Sequence, residues 1–153
     1  MRYLAGVSER LFAYGTLRRG RAPASLERLV ADLAWEGEAS VAGRLYDLGA
    51  YPGLVLDPAS ASRVHGEVAR VPGDPVFWEL LDGYEGVDPA DPARSLFRRL
   101  RREAQLAGGG RVEVWLYEYA RDPGAAPLLA GGRYRPAAGR GTLAAPRERR
   151  RRG

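Results

Sequence analysis

Apolar positions in this chain come in short runs broken by glycine and proline. Arg10-Leu11-Phe12-Ala13-Tyr14 is apolar and aromatic and is halted by Gly15, which predicts a buried strand. Residues 1–9, ahead of it, carry no period and read as a leader. Between Ala24 and Leu33 the apolar residues are Leu26, Leu29, Val30 and Leu33, a helical spacing that begins just after Pro23. Glu38 to Asp47 alternates loosely through Ala39, Val41 and Leu45 and predicts a strand. Leu48 to Gly53 is punctuated by glycine and proline and predicts a turn, followed by a short strand at Leu54–Leu56. Arg63 to Val71 predicts another strand, ended by Pro72-Gly73. Asp74 and Pro75 then suit the N-cap and first position of a helix reaching about Tyr84, with Phe77, Leu80, Leu81 and Tyr84 on one face. Val87 to Ser95 reads as a surface loop. Leu96–Leu106 and Arg111–Ala120, joined by a glycine-rich turn, predict a β-hairpin. In its second arm Val112, Val114 and Leu116 alternate with Glu113, Trp115, Tyr117 and Tyr119, giving one aliphatic and one aromatic face. From Asp122 onward glycine, proline and alanine dominate, and Pro127 to Arg135 is the one ordered candidate there.

Five or six strands and two helices without regular β-α alternation predict an α+β fold with a curled, barrel-like sheet. The length of 153 residues suits one domain, expected over residues 10–136, between the leader and a basic tail at 137–153. No repeat at a solenoid period is present.

Composition narrows the chemistry. There is no cysteine and one histidine, His65, so disulfides, thiolate catalysis and zinc-thiolate sites are excluded, and neither a metal nor a cofactor is expected. Hydrophobic residues make up 45% of the chain, but no apolar run approaches the roughly 20 residues that span a bilayer, and the N-terminus has too short an apolar stretch for a signal peptide. A cytoplasmic location follows by default, with no membrane partner. The net charge is +5, and every basic residue is arginine, as codon bias in a GC-rich genome produces. Much of the excess lies in Arg147-Glu148-Arg149-Arg150-Arg151-Arg152; without that run the charge falls to about +1. The plainer reading of the tail is a solvated, disordered terminus. The alternative is a contact with nucleic acid or an acidic partner, driven by counterion release.

Three segments are candidates for chemistry. At Tyr14-Gly15-Thr16-Leu17 a strand turns abruptly, and successive backbone amides beyond Gly15 can converge on an anion such as a carboxylate. An ordinary strand-to-loop turn is the plainer account. The segment lacks the further glycines of a dinucleotide fingerprint and the Lys-Ser/Thr of a P-loop. Glu85 closes the predicted helix ahead of Gly86. A carboxylate at the negative end of a helix dipole has its pKa raised, which suits a general base, whereas a solvated helix-end glutamate is the common case. Asp82, one turn earlier, reads as a capping or solvated residue. In Arg98-Arg99-Leu100-Arg101-Arg102, Arg99 and Arg101 face one way and Arg98 and Arg102 the other. The cluster reads as a charged edge with one member available to pair with a carboxylate. No serine sits in a Gly-x-Ser-x-Gly elbow, and His65 reads as a strand residue.

Taken in order, these segments resemble the γ-glutamylcyclotransferase-like superfamily, most closely its small bacterial members and the γ-glutamylamine cyclotransferases. Phe12 to Gly20 is similar to the family's Tyr-Gly-Thr/Ser-Leu loop. Gly43-Arg44-Leu45-Tyr46 with Tyr51-Pro52-Gly53 resembles its Gly-x-Leu-Tyr…Tyr-Pro-Gly segment, and His65-Gly66-Glu67-Val68 its central Gly-Glu strand. Leu81-Asp82-Gly83-Tyr84-Glu85-Gly86 resembles its Leu-Asp-x-x-Glu element. Phe97 stands where the family usually has tyrosine, and Gly132-Arg133-Tyr134 where it often has Gly-Asp-Trp. The resemblance spans roughly residues 10–135.

The resemblance implies a compact mixed barrel with flanking helices. It implies that Tyr14, Gly15, Thr16 and Leu17 hold the γ-glutamyl group of a small-molecule substrate and that Glu85 is the acid/base. The implied reaction is intramolecular aminolysis, in which the substrate's α-amine attacks its own γ-carbonyl and releases 5-oxoproline and an amine or peptide. The alternatives are a non-catalytic binding protein that keeps the pocket, and a tail-driven binder of nucleic acid or an acidic partner.

Overall fold

A computed structural model of the chain describes residues 9–15, 27–31 and 33–134. Most of the leader, Thr16 and Leu17 of the candidate loop, the start of the first predicted helix and the basic tail lie outside the described residues. The described strands are β1 (Arg10–Ala13), β2 (Ala34–Asp47), β3 (Pro52–Leu56), β4 (Arg63–Arg70), β5 (Phe97–Leu106) and β6 (Arg111–Tyr119). The described α-helices are α1 (Glu27–Ala31) and α2 (Pro75–Glu85).

The strands run in the order β3-β2-β4-β1-β6-β5, and β5 returns to β2 through Ala39 opposite Leu106 and Ser40 opposite Gln105. Five strands therefore close on themselves and β3 extends from β2. The β1–β6 pairing is parallel and the others are antiparallel, so the barrel is mixed, as expected for the α+β class. The 14 residues of β2 serve three neighbours in turn, with a register slip between Trp35 and Gly37.

Two cores divide the apolar residues. Phe12, Tyr14, Val41, Leu45, Val64, Val68, Val114 and Leu116 pack with Tyr134 in one cluster. Leu11, Ala13, Ala69, Phe97 and Tyr117 pack against Phe77, Leu81 and Tyr84 of α2 in the other. A strand alternates sides at every residue, so β1 and the residue after it supply both cores from four successive buried positions, Leu11 to Tyr14. The aliphatic and aromatic faces expected of β6 follow the same division: Val114 and Leu116 go to the first core and Tyr117 to the second.

Helix α2 begins as its sequence predicts. The Asp74 side chain accepts from the Val76 amide at 3.0 Å, and Pro75 occupies the first turn. It ends at Gly86, whose φ of 77° lies in the left-handed region that glycine enters without strain.

Three expectations need correction. Leu80 is 56% exposed, because α2 rests on the barrel along a stripe of Phe77, Leu81 and Tyr84, and Leu80 lies about 100° around the helix from Leu81. Pro52 and Gly53 belong to β3, not to a turn; a proline opens this strand at little cost because it stands first, where a missing N–H is tolerated. Strand β2 starts at Ala34, four residues ahead of the predicted Glu38. Its early residues are held by Trp35 against the helix-side core and by Glu36, which pairs with Arg10 at 2.7 Å and Arg70 at 2.8 Å. The surface loop after α2 is also pinned: Ser95 is buried, and its hydroxyl accepts from the Asp88 amide at 2.7 Å.

Gly66 of β4 lies directly over β1, where an added Cβ would strike the Ala13 carbonyl oxygen and come within 2.9 Å of the Phe12 ring. Gly66→Ala is therefore expected to destabilise the protein by about 1–3 kcal/mol, read as a lower urea midpoint with an unchanged m value.

Candidate active site

The last turn of α2 brings two carboxylates to one helix face, since residues three apart are neighbours there. They receive opposite treatment. Asp82 accepts from Arg99 Nε at 2.8 Å and Nη2 at 3.2 Å, a two-pronged pair, and from the Tyr117 hydroxyl at 2.7 Å. Arg99 and Tyr117 are directly opposite each other in the β5–β6 hairpin, so one cross-strand pair supplies all three donors. The guanidinium of Arg99 also lies against two indoles, 4.5 Å from the Trp78 ring centre and 4.7 Å from that of Trp115. The expectation that Asp82 merely caps or solvates the helix is thus corrected.

Glu85 has no ion pair and no side-chain hydrogen bond among the described residues. It keeps a partial opening to solvent, but its carboxyl lies deep against the protein. Burial, and then the charge of Asp82, push its pKa up to about 8. The sequence pointed to the helix terminus as the cause; burial is the larger one.

Tyr14 is buried at the end of β1. Its hydroxyl donates to the Tyr117 carbonyl oxygen at 2.6 Å and accepts from the Leu54 amide at 3.3 Å, which ties β1, β6 and β3 together. Its pKa is raised, first by burial and next by the nearby charge of Glu85. The structure therefore brings Tyr14 and Glu85 into one electrostatic neighbourhood. The hydroxyl is thus committed to backbone partners, and the ring packs in the barrel core. Gly15 follows against Pro52, where a Cβ would sit 3.1 Å from the proline ring. Thr16 and Leu17, the rest of the candidate loop, lie outside the described residues.

Sequence reasoning missed Tyr117 and Glu118. Tyr117 was visible only as one of several aromatic residues on its strand. Its phenol pKa is raised by burial foremost, then by the hydrogen bond to Asp82. Glu118, buried, faces the other way, accepting from the Leu56 amide at 2.8 Å and pairing with Arg98 at 3.1 Å. Phe97 is buried between Tyr51 and Tyr119, at ring-centre distances of 5.8 and 5.5 Å. A cleft of about 630 Å³ lies elsewhere, between Val41, Leu56, Arg63, Arg102 and Ala104, and includes none of the candidate site residues. Among the described residues no group of three or more histidine, aspartate or glutamate side chains is placed to hold a metal ion. No described helix is long and apolar enough to cross a membrane.

The family model for γ-glutamyl cyclotransferase, AIG2-like proteins matches residues 11–136. This chain belongs to that family. No curated protein sequence matches it. Among solved structures, an AIG2-like protein from Mus musculus is 23% identical with a TM-score of 0.62, over 87% of this chain and 99% of that one. Protein ytfP from Escherichia coli is 27% identical with a TM-score of 0.56, over 82% and 95%. YkqA from Bacillus subtilis is 19% identical with a TM-score of 0.61 over 84% of this chain, which spans only 40% of YkqA. These likenesses establish the cyclotransferase-like fold, and membership of the family supports an enzyme acting on a small molecule.

Glu85 makes stability depend on pH. Its folded pKa, about 8, lies above the ordinary 4.5, so the folded state keeps a proton that the unfolded chain gives up. The contribution is fully present below about pH 4.5 and is lost as the pH rises to 8. Glu85→Gln cannot ionise and should escape that loss. Allowing for the carboxyl's partial exposure, the variant should gain about 2 kcal/mol on wild type between pH 5 and 8.5, or roughly 5 °C in Tm. A difference in Tm that stays constant across this range would contradict the raised pKa.

Proposed function

We propose that this family member releases 5-oxoproline from a γ-glutamyl amine or peptide by intramolecular aminolysis. The observation that carries the reading is Glu85: a carboxyl pushed to a pKa of about 8, without a hydrogen-bonding side chain among the described residues, and near enough to Tyr14 for its charge to act on the phenol. The substrate supplies its own nucleophile, which accounts for a site without serine or cysteine. Glu85 takes the proton from the α-ammonium group. The freed α-amine forms a bond to the γ-carbonyl carbon, the carbon–nitrogen bond to the leaving group breaks as Glu85 returns the proton to the departing nitrogen, and the second proton of the α-nitrogen passes to the released amine, leaving the neutral lactam. One carboxyl whose pKa lies near the working pH suits both transfers. Backbone amides of the Tyr14, Gly15, Thr16 and Leu17 segment hold the glutamyl carboxylate and keep the chain bent for attack. No cofactor enters this scheme.

The test is 5-oxoproline release from a panel of γ-glutamyl amines and dipeptides. Wild type should show kcat/KM rising with pH through about 8, as Glu85 becomes the free base. Glu85→Gln should lose at least about 100-fold. Equal turnover by both proteins would remove Glu85 from the role. Thermal stabilisation by the same compounds without product would instead favour a binding protein that keeps the pocket.

A further inference from the structure

We propose that Asp82 and Arg99 form a positioning pair that sets the proton affinity of Glu85, with Asp82 holding the proton on and Arg99 limiting the effect. The proposal rests on the reading of Glu85 as the proton shuttle, and it concerns residues that do not themselves touch substrate.

Asp82 stands one helical turn before Glu85, so the two carboxyls project to the same side of α2. An ordinary surface aspartate there would be damped by water. This one is fixed by three donors and held against the barrel, and a charge so fixed acts steadily on its neighbour. Arg99 is held in turn. Its guanidinium is paired with Asp82 and lies over the Trp78 and Trp115 rings. Among the described residues the groups that act on Glu85 or its aspartate neighbour from other elements are Tyr14, just after β1, Tyr117 of β6 and Arg99 of β5; Glu118 of β6 also acts on Tyr14. Both phenols are pushed above their ordinary range and remain neutral where the enzyme works, and Glu118 is engaged by Arg98. Among the described residues the charge that acts on Glu85 is that of Asp82, and Arg99, of opposite sign, is bound to Asp82.

A purely structural brace between α2 and the hairpin would weaken whichever partner were removed. A charge pair acting on Glu85 gives opposite results. Asp82→Asn leaves the Arg99 cation behind, so the pH at which Glu85 loses its proton should fall by about one unit. Arg99→Gln leaves the Asp82 anion uncompensated, so that pH should rise by about one unit. Arg99→Lys keeps the charge but not the fork; it should stay near the wild-type profile while losing thermal stability.

The measurement is the acid limb of the kcat/KM profile for the full chain, paired with the titration of the Glu85 carboxyl followed by NMR on protein carrying ¹³C-labelled glutamate, the signal being assigned with Glu85→Gln. Opposite displacements in Asp82→Asn and Arg99→Gln, with Arg99→Lys near wild type, support the proposal. Displacements in one direction, or none in a folded Arg99→Gln protein, overturn it. Should Asp82→Asn fail to fold, Arg99→Gln against Arg99→Lys decides the matter alone. If the carboxyl titration moves in opposite directions while Glu85→Gln turns over normally, the pair is upheld and only the proton-shuttle reading falls.

Discussion

Two carboxyl groups three residues apart on a helix that is pressed against a barrel cannot both be charged and unpaired at low cost. Like charges that near each other repel, and each loses hydration on burial. The fold resolves this by giving the donors among the described residues to one of them. Asp82 collects the Arg99 fork and the Tyr117 hydroxyl, while Glu85 keeps its proton. Much of the surrounding architecture follows from that division. Arg99 and Tyr117 must face each other across the hairpin, Trp78 and Trp115 must lie beside the guanidinium, and the helix must end where Gly86 turns it away.

Local signals in the sequence carried the local structure. Asp74-Pro75 and Gly86 bound α2 through capping chemistry that needs no distant partner, and the glycine turn with alternating arms revealed the hairpin of β5 and β6. The mixed barrel was legible as a class. Which strands close it was not, because β2 meets β5 and β1 meets β6 through residues far apart in sequence that leave no periodic trace. The same reason hid the site's wiring. Tyr14 reaches partners 103 and 40 residues away, and Asp82 reaches ones 17 and 35 residues away. Glu85 and the Tyr14 segment stood out through motif order, whereas Asp82 resembled any polar residue near a helix end until its donors were in place.

The alternation of strand side chains lets one short segment serve two packing tasks. Leu11 and Ala13 of β1 pack with the helix, and Phe12 and Tyr14 pack with Tyr134 in the other core. Tyr14, just past the end of this strand, therefore joins the barrel core through its ring.

Strand β3 lies outside the closed ring and so has a side without a strand neighbour among the described residues, the kind of edge on which chains stack into aggregates. Here that side has few donors to offer. Pro52 has no N–H, the Leu54 amide is taken by the Tyr14 hydroxyl, and the Leu56 amide is taken by the Glu118 carboxylate. The side chains that wire β3 to the rest of the molecule thus also blunt it as a template, and a β-rich protein with an open strand keeps that strand to itself.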